Sequence, residues 1–103
     1  MKRIVLISAV ALAACATTDP PESQMAAARG MVAQARPVAE KDAPAELAAA
    51  QTKLERAETA MQRGHYEHAR LLAEQAEADA RLAWTTSEKV RLQRTLASER
   101  VGR

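Results

Sequence analysis

The stretch LERAETAMQRGHYEHA, residues 54–69, decides how this chain folds. Gly64 separates two runs that otherwise read as helix. Upstream, Leu47, Ala50, Leu54, Ala57 and Met61 recur at spacings of three and four, which draws one apolar stripe on a helix over residues 45–63. Glycine enters the left-handed conformation easily, so Gly64 is expected to cap that helix. Downstream, residues 66–97 contain neither Gly nor Pro. They predict a second, longer helix of about 48 Å. The expected architecture is all-α: an antiparallel hairpin of a short helix and a long C-terminal helix.

The long helix carries two stripes. Ala69, Ala73, Ala76, Ala80 and Ala83 form a small-residue seam. Leu71, Ala78, Leu82, Leu92 and Leu96 lie roughly opposite, at about 100° per residue. A helix that is apolar on two sides calls for two neighbours. The preceding helix suits one side. The other is open to a first helix or to another subunit.

Gly64-x-Tyr66-x-x-Ala69 between two amphipathic helices resembles the turn inside a tetratricopeptide repeat. There Gly makes the turn, Tyr packs at the corner and Ala lets the helices close. Only one unit is present, and such arrays need about three, so a repeat protein is not expected. A closer resemblance covers residues 43–97. It rests on Ala43-Pro44-x-Glu46-Leu47, Lys53-Leu54-x-x-Ala57, Tyr66-Glu67-x-Ala69-Arg70 and Leu72-Ala73-Glu74-Gln75-Ala76-x-x-Asp79-Ala80. These resemble the DUF4398 domain, a helical module of bacterial envelope lipoproteins. The resemblance implies a location and a fold, and no activity.

Upstream of the hairpin, residues 24–36 have helix-forming composition around Gly30, and Arg36-Pro37 is expected to end that helix. Residues 37–44 then read as a connector, so that 24–42 holds a helix and connector and 43–100 the hairpin. CATTDPPES, residues 15–23, reads as a polar tether that Pro20-Pro21 keeps extended.

Met1-Lys2-Arg3, an apolar run from Ile4 to Ala14, and then Cys15 form the pattern of a signal peptide over residues 1–14. The run is shorter than the roughly 20 residues of a spanning helix. Leu12-Ala13-Ala14-Cys15 resembles the bacterial lipobox. That resemblance implies cleavage between Ala14 and Cys15, a diacylglycerol on the Cys15 thiol, and an acyl chain such as palmitate on the new amine. One acyl chain anchors marginally and several anchor stably. Ala16, where an Asp would favour the inner membrane, implies the outer membrane with the chain facing the periplasm. Cys15 is the single cysteine, so an internal disulfide is excluded.

Losing residues 1–14 lowers the basic count from 15 to 13, level with the 13 acidic residues, and no global charge points to nucleic acid. Phe is absent, and Tyr66 and Trp84 are the only aromatics. So short and Ala-rich a chain buries little area and is expected to lean on a partner, a second copy or the membrane.

His65 and His68 stand three apart, yet no third ligand accompanies them, so no metal or other cofactor is expected beyond the covalent lipid. Glu55, Glu58, Glu67, Glu74, Glu77 and Asp79 read as a solvated face, with Glu74 pairing Arg70. No base–orienter arrangement and no phosphate loop is present, and the chain is not expected to be an enzyme. Lys89, Arg91 and Arg94 make the C-terminal end basic. They either complement the helix dipole or touch anionic lipid, lipopolysaccharide or peptidoglycan. The sequence therefore favours a structural or protein-interaction lipoprotein of the envelope. The alternatives are a binding module for peptidoglycan or lipopolysaccharide and an accessory subunit of an envelope complex.

Overall fold

The structure, a computed structural model, describes residues 19–102. Among the described residues three helices follow one another: α1 (Glu22–Asp42), α2 (Pro44–Gln62) and α3 (Tyr66–Val101). The signal segment, Ala14 and Cys15 lie outside the described residues. Among the described residues, no helix is long and apolar enough to cross a membrane.

Each helix buries one stripe, with steps mostly of three, four or their sum. On α1 these are Met25, Ala28, Val32, Ala35 and Ala39. On α2 they are Leu47, Ala50, Ala57 and Ala60. On α3 they are Ala69, Leu72, Ala73, Ala76, Ala80, Ala83 and Ser87. The average step is that of a coiled-coil seam. Two clusters show the pairing. Val32, Ala35, Ala39 and Ala43 meet Leu47, Ala50, Ala80 and Ala83. Met25 and Ala28 meet Ala57, Leu72, Ala73 and Ala76. Leu54 packs against both clusters. Helices α1 and α2 are thus antiparallel, as are α2 and α3, and α1 runs parallel to α3. The expected hairpin is α2–α3, and α1 completes it as a third helix on the same seam.

Two joints set this topology. Between α2 and α3, Gly64 adopts φ +73°. The Gly64 N–H donates to the Met61 carbonyl and the His65 N–H to the Ala60 carbonyl. That pair of bonds is a Schellman cap, and it satisfies carbonyls that the end of α2 would orphan. Ala69 is fully buried on the first turn of α3, as close helix approach requires.

Between α1 and α2 a single residue suffices. Ala43 is extended at φ −148°, and its N–H still bonds the Ala39 carbonyl. Pro44 forces this, because a residue before proline is driven out of the helical region. Pro44 also opens α2 at a position where its missing N–H costs nothing.

Pro37 corrects the sequence reading. It was expected to end the first helix at Arg36, yet α1 runs through it to Asp42. Proline deprives the carbonyl four residues back of its donor. Here that residue is Ala33, and both Ala33 and Pro37 face solvent, so water can take the bond. The connector expected at residues 37–44 shrinks to Ala43.

Gly30 and Gly64 respond oppositely to the same change. Gly30 lies inside α1 with nothing within 4 Å of an added Cβ. Gly30→Ala is expected to stabilise by about 1 kcal/mol. Gly64→Ala is expected to destabilise by about 1 kcal/mol, because its φ is left-handed. Urea denaturation followed by circular dichroism reads both signs.

Candidate functional site

The alanine seam turns the opposite face of α3 outward. Leu71, Leu82, Leu92 and Leu96 are 48%, 54%, 60% and 49% exposed. Trp84 and Val101 are exposed as well. Of the two covers expected for the leucine stripe, α1 is eliminated. It packs on the seam beside α2, against Ala73, Ala76, Ala80 and Ala83. Small side chains admit two helices to one face, so the leucines stay uncovered among the described residues.

Ion pairs lace the bundle from outside, one for each helix pair. Arg29 donates to Glu58 at 3.1 Å between α1 and α2. Lys53 donates to Asp79 between α2 and α3. Arg94 Nη2 donates to Asp42 Oδ1 at 2.8 Å between α3 and α1. On α3 itself, Arg70 pairs with Glu67 and with Glu74, as expected for Glu74. The Glu67 carboxylate, helped by Glu74, holds the Arg70 guanidinium above its ordinary range. Glu77 is held by Arg81. Of the carboxylates named from sequence, Glu58, Glu67, Glu74, Glu77 and Asp79 are thus each held by an Arg or Lys partner.

His65 and His68 line a shallow depression with Glu55, Arg56, Thr59 and Arg63. Arg56 and Arg63 make that place repulsive to a cation. No group of three or more His, Cys, Asp or Glu side chains suited to a metal occurs among the described residues. Tyr66 lines a second groove with Asp19, Pro20, Pro21, Gln24 and Arg70. The turn corner thus sits beside the start of α1, where the tether enters.

Lys89, Arg91 and Arg94 do not form one patch. Successive helix residues turn by about 100°, which sends Lys89 to the leucine face, about 160° from Arg91 and about 140° from Arg94. Arg91 and Arg94 instead share a groove with Pro37, Val38, Lys41 and Asp42 of α1. Lys41 was missed by sequence reasoning. No local pattern marks it, since only the parallel packing of α1 on α3 brings it there.

The family model described as a domain of unknown function, DUF4398, matches residues 23–98. The chain belongs to the DUF4398 family. The match begins on the first turn of α1, so the module is longer than residues 43–97. It takes in all three helices, as one shared core demands. No curated protein and no solved structure matches the chain.

The Asp42 side chain is only 6% exposed, against 53% for Arg94. Removing Arg94 leaves a nearly buried carboxylate without its cation. Arg94→Ala is expected to destabilise this DUF4398 bundle by about 1–2 kcal/mol. Lys89→Ala should stay within about 0.5 kcal/mol. Chemical denaturation of the two variants, run side by side, measures the difference.

Proposed function

We propose that this protein is a lipid-anchored scaffold of the cell envelope, acting through helix–helix contacts. Cys15 would carry diacylglycerol and an acyl chain, the anchor would lie in the outer membrane, and the bundle would stand in the periplasm. The lipobox-like Leu12-Ala13-Ala14-Cys15 supports the anchor. The exposed leucine stripe of α3 carries the interaction role. Its partner is a second copy or another helical protein of the envelope.

Magnitudes favour a membrane-dependent association. Covering four half-exposed leucines contributes about 1 kcal/mol each. The total of about 4 kcal/mol only reaches the lower end of the association cost, about 4–15 kcal/mol. Such a face pairs poorly in dilute solution. Two anchored chains meet at far higher effective concentration, and there the same stripe is sufficient.

Two readouts test this reading separately. Cells expressing the full chain are fed labelled palmitate, with Cys15→Ser as control. Label on the wild type and none on the variant is expected, and an unlabelled wild type overturns the anchor. Membranes are then crosslinked, comparing the wild type with Leu92→Glu/Leu96→Glu. The adduct is expected to be lost in the variant, and an unchanged adduct overturns the role of the stripe.

A further inference from the structure

The groove shared by α1 and α3 gathers charge of mostly one sign. Lys41, Arg91 and Arg94 line it together with Pro37, Val38 and Asp42. Three cations therefore face one carboxylate. That carboxylate is committed: Asp42 holds Arg94 at 2.8 Å. Arg94 is thereby fixed in place while its guanidinium stays half-exposed. Arg91 is steadied on its outer side by Glu88 at 3.1 Å. Val38 is half-buried and Pro37 is exposed, which gives the groove an apolar wall. Two paired, half-exposed guanidinium groups beside an apolar wall suit a ligand with spaced anionic groups on a chain that also has apolar faces.

Position narrows the ligand. Asp19, Pro20 and Pro21 lie beside Arg70, at the start of α3. From Arg70 to Arg91 the chain is one unbroken helix, a rise of about 32 Å. The groove is at the far end of the bundle from the tether. Anionic headgroups around the anchor lie at the near end.

We infer that the Lys41–Arg91–Arg94 groove binds the free carboxylates of peptidoglycan stem peptides. The choice of wall over lipid rests on the anchor proposed above, whereas the anion site rests on the groove alone. Lys89 is outside the site, because it faces the leucine side of α3.

The full chain, purified in detergent, is co-sedimented with isolated peptidoglycan sacculi at low and high salt. Wild-type protein is expected in the pellet, and less of it as salt screens the contact. Lys41→Glu/Arg91→Glu is expected to weaken binding about tenfold or more. Neither residue bridges helices, so helicity and melting temperature should be retained. Lys89→Glu is expected to bind like the wild type. The inference is overturned if the wild type stays in the supernatant, if the double variant pellets like the wild type, or if Lys89→Glu loses as much binding as the double variant. None of these outcomes depends on acyl labelling or crosslinking, so the groove and the scaffold reading fail independently.

Discussion

Close approach of helices over alanine is the constraint on which this structure rests. Among the described residues, twelve of the sixteen buried hydrophobic side chains are Ala, the others being Met25, Val32, Leu47 and Leu72. A methyl group fills little space, so backbones draw near and α3 can receive α1 and α2 on one face. The same methyl removes little area from water, about 0.8 kcal/mol per carbon at the usual rate. Stability is therefore a sum of small terms over long helices, assisted by the high helix propensity of Ala. Ser87 extends the seam by a further turn. It is fully buried, and its hydroxyl donates to the Ala83 carbonyl at 2.7 Å, so the added oxygen is satisfied without any partner helix.

Much of this was legible in the sequence because it is periodic or local. The spacing of Ala69, Ala73, Ala76, Ala80 and Ala83 marked the buried face of α3. Gly64 marked the turn by a conformation that few other residues tolerate. Pro37 and Pro44 were harder to separate, since proline breaks a helix only when its surroundings leave the chain a better path. At Pro37 the freed carbonyl faces water and α1 continues. At Pro44 the chain turns so that Ala43 and Leu47 both enter the core. Pro44-Ala45-Glu46 did contain a start signal, with proline first and an acid in the first turn.

The surface was less legible, for a physical reason. Lys89, Arg91 and Arg94 are neighbours in sequence, but a helix scatters neighbours around its axis. Lys41 and Arg91 are 50 residues apart and line one groove. Which cations converge depends on how α1 lies on α3, and that is a property of the seam. The sequence put leucines opposite alanines correctly and left two candidates to cover them. Only the packing removed α1 from the choice.

The one-residue joint at Ala43 has a consequence for how such chains vary. A longer loop would absorb an insertion, whereas here the helices are geared directly to one another. Adding one residue to α1 rotates everything on one side of it by about 100°, taking Ala35 or Ala39 off the seam. Adding seven returns the face almost to register. A matching seven in α2, and a matching stretch of α3, would keep Asp42 opposite Arg94. Relatives of different length are thus expected to differ by whole pairs of turns in all three helices together, so that the bundle works as a ruler graduated in heptads.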